Sequence, residues 1–216
     1  MSGIVGAQHE FHDRAFVRNW AERFVPTPPR MALFDLILHH VSSLEWAGGH
    51  VVELGLGPGY MAKHILERND TLTYEGLDFS RAFFEVAEDV LGEFAHRVTF
   101  TYADLMHHHW PRALAKQPDF IISTWTLHDL GGQTATANVY NQCYEALPAG
   151  GMLLNGDFIK PDNVGCAYEL GRFETAVHLD LLRRAGFQHP SVVGEFEHNL
   201  RNPTAAQNYV CLMAVK

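Results

Sequence analysis

A chain of 216 residues, 47% apolar and 19% charged, can bury one substantial core and is not expected to be disordered; it holds no run near the roughly 20 apolar residues of a membrane span. A net charge of −9, with basic residues scattered apart from Arg183–Arg184, offers no stripe for phosphate contacts and disfavours nucleic acid as a partner. Cys143, Cys166 and Cys211 are odd in number and far apart, so neither a disulfide framework nor a zinc cluster follows; with no signal-peptide pattern at the N-terminus, a reducing cytoplasm is the expected location.

In chain order, residues 11–24 mix aromatics with charge, and His12, Phe16, Trp20 and Phe24 fall at near-helical spacing before Pro26, Pro28 and Pro29 break the pattern. Pro28 and Pro29 suit the first turn of a new helix, with Leu33, Ile37, Val41 and Leu44 on one face and Gly48–Gly49 at its end. Beyond that point short apolar runs alternate with amphipathic stretches, as in a parallel sheet covered by helices on both faces. Strands are predicted at 50–54, 72–77, 97–102, 119–124 and 151–158, the fourth central because of Phe120–Ile121–Ile122. Helices are predicted at 60–68, at 133–147, and after Ser80 as cap, with Phe83, Ala87, Val90 or Leu91, and Phe94 facing inward. A weaker helical piece covers 107–115. Leu170, Phe173, Val177 and Leu181 mark a last helix, ended by Gly186. Residues 191–196 and 208–215 follow without a helix between them and read as an antiparallel hairpin at the sheet edge. The chain thus divides into an N-terminal helical segment, 1–47, and an α/β domain, 48–216. The segment either packs on the sheet or forms a lid; the lid is favoured because the α/β pattern is complete without it.

Chemistry concentrates where the first strand meets its helix: Val51–Val52–Glu53–Leu54–Gly55–Leu56–Gly57–Pro58–Gly59. Glycines let a backbone approach a ligand closely, and the helix start presents N–H groups. The dinucleotide spacing G-x-G-x-x-G is not met, since the third glycine comes one residue early. Glu53 would repel a phosphate and suits a cationic amino group instead. Asp78, closing the second strand, can accept both hydroxyls of a ribose. Asp104, past the third strand, can reach an adenine edge.

Glu53-x-Gly55-x-Gly57-x-Gly59, Gly76–Leu77–Asp78–Phe79–Ser80, Asp104–Leu105 and Leu147–Pro148–Ala149–Gly150–Gly151, in register from about Gly49 to the C-terminus, resemble the class I S-adenosylmethionine-dependent methyltransferases. The resemblance implies a Rossmann-like α/β fold: a seven-stranded, mostly parallel sheet in the order 3-2-1-4-5-7-6, strand 7 antiparallel, with S-adenosylmethionine as methyl donor. It implies that Glu53, Gly55, Gly57 and Gly59 surround the methionine moiety, that Asp78 binds the ribose and Phe79 flanks the adenine, that Asp104 and Leu105 meet the adenine edge, and that Thr124 and Trp125 lie near the cofactor's amino-acid end. Leu56 departs from the small or polar residue common at its position.

His128 and Asp129 follow the fourth strand, where ligands of an open sheet gather. His128 either takes a proton from a hydroxyl or amine acceptor or positions its own loop. Asp157 either faces the substrate or bonds a nearby N–H. His107–His108–His109 point three ways from a helix and read as a solvated start, not a metal handle; no metal is expected. His39–His40 suit a surface, Tyr140 and Tyr144 the core, and the cysteines apolar packing. The expected function is in-line methyl transfer to oxygen or nitrogen of a small molecule. The rivals are RNA or protein methylation, a non-catalytic binder of the methyl donor, and a nicotinamide-dependent oxidoreductase, for which no Tyr-x-x-x-Lys pair is present. Oligomeric state stays open, a homodimer included.

Overall fold

In the computed structural model, residues 8–43, 48–161, 171–201, 203–204 and 206–216 are described. Leu44, Cys166 and Leu170 lie outside them.

Seven strands form one sheet: β1 (His50–Leu54), β2 (Thr73–Asp78), β3 (Val98–Tyr102), β4 (Phe120–Thr124), β5 (Met152–Phe158), β6 (Gln188–Phe196) and β7 (Tyr209–Val215), in the order β3-β2-β1-β4-β5-β7-β6. β3, β2, β1, β4 and β5 pair in parallel, while β7 runs antiparallel between β5 and β6. This is the expected topology. Strand alternation divides the core: Val51, Ile122, Leu154 and Cys211 face one side, and Val52, Ile121, Leu153 and Val210 the other. The first side is covered by α2 (Pro28–Ser43), α3 (Tyr60–Arg68) and α4 (Arg81–Leu91), the second by α5 (Gln133–Ala146) and α6 (Thr175–Ala185).

α2 begins at the proline pair and buries Leu33, Ile37 and Val41, as their spacing predicts. It sits low on the sheet because β5 carries Gly156: a Cβ there would come within 2.6 Å of the Leu33 side chain. The segment before it forms a short 3-10 turn (Glu10–His12) and α1 (Arg14–Arg23), capped by Asp13, whose carboxylate accepts from Phe16 N at 2.7 Å.

Several expectations are corrected. Ser80 precedes α4 but gives it no side-chain cap; its hydroxyl donates to the Phe11 carbonyl. Phe83 leaves the inner face of α4 and packs with Val17 and Ala21 of α1, so Phe84, Ala87 and Leu91 meet the sheet. The N-terminal segment crosses α4 and takes up that second face. Residues 107–115 hold only a 3-10 turn (Trp110–Ala113), because Pro111 removes a donor and side chains of the preceding residues bond locally. α6 starts after Phe173 and buries His178 and Leu182, one position on from the expected Val177 and Leu181. Tyr140 makes that rotation tolerable, its hydroxyl lying 2.9 Å from His178 Nδ1.

Leu33 is fully buried in the notch left by Gly156. Leu33→Ala is expected to cost about 2–5 kcal/mol, read as a lower urea midpoint with an unchanged slope.

Candidate functional site

The carboxyl ends of β1, β2 and β4 open on a cavity of about 300 Å³. Its floor is the turn after β1. Leu77 O accepts the amides of both Gly55 and Leu56 at 2.9 Å, which folds the chain back at the strand end. Gly55 (φ 74°) and Gly57 (φ 53°) take left-handed backbone. A Cβ on Gly55 would run into Thr126, whereas the space before Gly57 is open, leaving bare backbone toward the cavity.

Asp78 is the buried hub of this floor. Its carboxylate accepts from Gly57 N at 3.0 Å and Ser80 N at 2.9 Å, tying the β1 turn to the end of β2. Burial pushes Asp78 up to about 6, against these backbone donors. Glu53, 1% exposed, accepts from Tyr74 Oη at 2.6 Å. Burial, aided by the charge of Asp78, pushes its carboxyl up to about 8 despite hydrogen bonds from Tyr74 and Thr124.

Asp104 accepts from Met106 N and faces His107 Nδ1, both at 2.8 Å, while its own amide meets His108 Nδ1 at 3.1 Å. Burial raises the Asp104 carboxyl, but these partners outweigh it and hold it below the ordinary range. His109 reaches Glu145 instead, so the three consecutive histidines serve three separate contacts.

Beyond β4, Trp125 adopts φ 50° and hangs from Gly156 O by its amide at 2.8 Å. Its indole N–H is buried without a hydrogen-bond partner among the described residues. His128 lies on the following 3-10 turn (Leu127–Leu130). Asp157 of β5 holds it twice, accepting from the His128 amide at 3.0 Å and facing Nδ1 at 2.7 Å. Nε2 lies 3.4 Å from Asp129, and the ring stands edge-on to Phe158. Burial lowers the His128 pKa, yet Asp157 and Asp129 more than reverse it, leaving it above the ordinary imidazole value. Asp157, itself raised by burial, is held low by His128.

Glu53, Gly55, Gly57, Asp78, Phe79, Asp104, Leu105, Thr124, Trp125, His128 and Asp129 all line the cavity. Gly59 does not; it caps α3 in left-handed conformation against Leu91 and Ala87. The second expected role of Asp157, bonding an N–H, is the one observed. Residues that sequence spacing did not single out also line the cavity: Phe11, Arg30, Phe34, Tyr60 and Thr126. Tyr60 donates to Ala21 O at 2.9 Å, so α1 is tied to the first residue of α3 as the Phe11 segment is tied to Ser80.

With this geometry in view, comparison with known proteins is informative. Residues 52–153 match the family model described as a methyltransferase domain. That match, just under half of the chain, and the strand order are those of the class I S-adenosylmethionine-dependent methyltransferases, which the chain resembles. The matched methyltransferase domain supports an enzyme that takes S-adenosylmethionine as methyl donor. No curated protein sequence matches it. Similar solved structures include the [4+2]-cyclase SpnF (19% identity, 87% of this chain and 80% of that one, TM-score 0.67). Human N-acetylserotonin methyltransferase in complex with its methyl donor is another (15% identity, 98% and 60%, TM-score 0.68). A third is an O-methyltransferase family protein from Burkholderia thailandensis (19%, 96% and 61%, TM-score 0.68). The chain spans about 60% of the length of the last two. At these identities the likeness shows the fold alone, and the cyclase shows that one fold carries different reactions.

The residues present fit the methyl donor: an open glycine backbone, a buried acid at the end of β2, and an uncharged Glu53 poised to ionise beside a cation. With its carboxyl pushed up to about 8, Glu53 is largely protonated at pH 7, and an ammonium beside it would favour the charged form. Binding of S-adenosylhomocysteine at pH 7 is expected to release up to about one proton, measured by calorimetry in buffers of different ionisation enthalpy. Glu53→Gln should release none; a wild type that releases none would remove Glu53 from the ammonium.

Proposed function

We propose that the chain transfers a methyl group to an oxygen or nitrogen of a small-molecule acceptor, with His128 as the proton acceptor. The observation that carries this is the pairing of His128 with Asp157 in the cavity wall. Asp157 fixes the tautomer with the proton on Nδ1, leaving Nε2 as the basic atom. S-adenosylmethionine, when bound, supplies an activated methyl on a sulfonium. The protein's work is to align the acceptor with the S–CH3 bond, exclude water and receive the proton. The acceptor heteroatom forms its bond to the methyl carbon as the C–S bond breaks. The sulfur keeps the electron pair and the acceptor's proton passes to His128 Nε2. Asp129, 3.4 Å from Nε2, stabilises the imidazolium that results.

In this proposal Glu53, Gly55 and Gly57 hold the methionine moiety, with Thr124 and Trp125 at its end. Gly59 shapes the turn from behind. Asp78 accepts the ribose hydroxyls, Phe79 flanks the adenine, and Asp104 with Leu105 meets its edge. Of the segment 1–47, the part before α2 acts as a lid on the domain 48–216, while α2 packs on the sheet; the places of Phe11, Trp20 and Phe24 in the cavity wall support this. The acceptor side is walled by Phe24, Phe34, Trp125 and Phe158, which suits a small, largely apolar molecule. Apart from the histidine, Arg30 is the basic residue among the described cavity walls, which gives a nucleic-acid backbone little to hold.

Methyl transfer to hydroxyl and amine panels, read by formation of S-adenosylhomocysteine, tests the reaction class. Donor binding without turnover on any acceptor would favour a binding role. His128→Ala is expected to lower kcat by about 10²–10⁴-fold with donor affinity kept; an unaltered kcat would leave His128 as scaffold. Because the neutral imidazole is the base and its pKa is raised, wild-type kcat should climb with pH through a value above the ordinary imidazole range and then level. Asp157→Asn should move that limb down. Asp78→Ala should weaken S-adenosylhomocysteine by about 1–3 kcal/mol in calorimetry; unchanged affinity would remove the ribose role.

A further inference from the structure

α6 buries a second histidine, His178, away from the cavity. It is 1% exposed and lies on the side of the sheet covered by α5 and α6, with Phe173 and Tyr140 against its ring. One ring nitrogen is accounted for. Asn155 Nδ2 of β5 donates to Tyr140 Oη at 3.2 Å, so the phenol turns its own proton to His178 Nδ1 at 2.9 Å. Nδ1 therefore accepts, and the neutral ring keeps its proton on Nε2. Burial lowers the His178 pKa against the pull of Asp157, which leaves the ring neutral at pH 7. Its Nε2–H is buried without a hydrogen-bond partner among the described residues. A leftover donor in such a layer carries a penalty that an apolar side chain there would avoid.

The charge that answers this donor is Asp157. Asn155 and Asp157 stand two apart on β5, so both side chains leave the same face of the sheet. Asp157 acts on His178, and His178 in turn helps His128 hold Asp157 low against its burial. We propose that His178 is a positioning residue for the base: its Nε2–H supports the Asp157 carboxylate from inside the core and so limits how strongly that carboxylate keeps a proton on His128. This rests on the reading of His128 as the proton acceptor. A carboxylate supported from the core depends less on an imidazolium, so His128 gives up its proton more readily after each transfer. Asn155 and Tyr140 set the orientation of the His178 ring. Asp157 faces both histidines, Tyr140 also faces His178, and Asp129 and Arg172 act on His128.

The test needs no acceptor. Histidine rings labelled with 13C are titrated by NMR in the full chain, and the His128 signal is the one missing from His128→Ala. In His178→Phe, Asp157 loses a donor and leans more on the imidazolium, so the His128 pKa is expected to rise by roughly half to one pH unit. His178→Gln, whose amide can place an N–H near the position of Nε2, should return most of that rise. Tyr140→Phe releases the ring and should give a smaller rise in the same direction. A retained near-UV circular dichroism spectrum identifies folded variants, and Tyr140→Phe, which loses a single hydroxyl, carries the test if His178→Phe does not fold. The proposal is overturned if the folded variants titrate His128 as the wild type does. It is overturned equally if Gln displaces the value as far as Phe, which would make His178 a packing residue. An unaltered kcat in His128→Ala overturns the base assignment itself, whatever the titration shows.

Discussion

The Leu77 carbonyl receives two consecutive amides, from Gly55 and Leu56, and this shared bond fixes where the chain turns at the end of β1. Everything in the cavity is measured from that turn. It aligns β1 with β2, brings the Gly57 amide onto Asp78, and leaves Glu53 facing the space above the sheet. Leu56, the unusual residue of the loop, helps close the floor: its side chain fills the gap over Gly76 of β2, where a Cβ would come within 2.6 Å of it. The sequence around the turn is thereby constrained by packing below as well as by any ligand above.

The electrostatics are those of a site waiting for charge. Glu53 and Asp78 are both buried and both pushed up, because burying two carboxyls near each other penalises ionisation. Asp78 offsets part of the cost through backbone donors that also hold the loops together. Glu53 has only hydroxyl partners, and its higher value follows. At the end of β5 the order is reversed: Asp157 is held low because His128 faces it, and the histidine is held in one orientation by two bonds to the same carboxylate.

Much of this was legible in the residues. Glycine spacing and the acids at the ends of the second and third strands carry the family resemblance, and that resemblance implied the order of the sheet and nearly all of the cavity floor. What stayed hidden depends on contacts between distant segments. Phe83 and Phe84 are adjacent and equally apolar, and only the passage of α1 across α4 decides which one meets the sheet. Ser80 looks like a cap by position, but the Phe11 carbonyl claims its hydroxyl. The face of α6 shifted by one residue because Tyr140 provides a partner for His178, which periodicity cannot weigh. Asp157 was open between two roles until β5 and the turn after β4 were seen side by side. Arg30 carries no motif; its only sequence cue is a lone cation between a proline pair and an apolar helix.

The N-terminal segment is fastened to the cavity rim at two points, Tyr60 to Ala21 and Ser80 to Phe11, and both bonds end on main-chain carbonyls. Any residue at positions 11 and 21 offers the same acceptor. Mutation in this stretch can therefore exchange the side chains that face the cavity without unhitching the segment from the loops beneath. Such an attachment separates variation in the cavity lining from the upkeep of the loops that hold it.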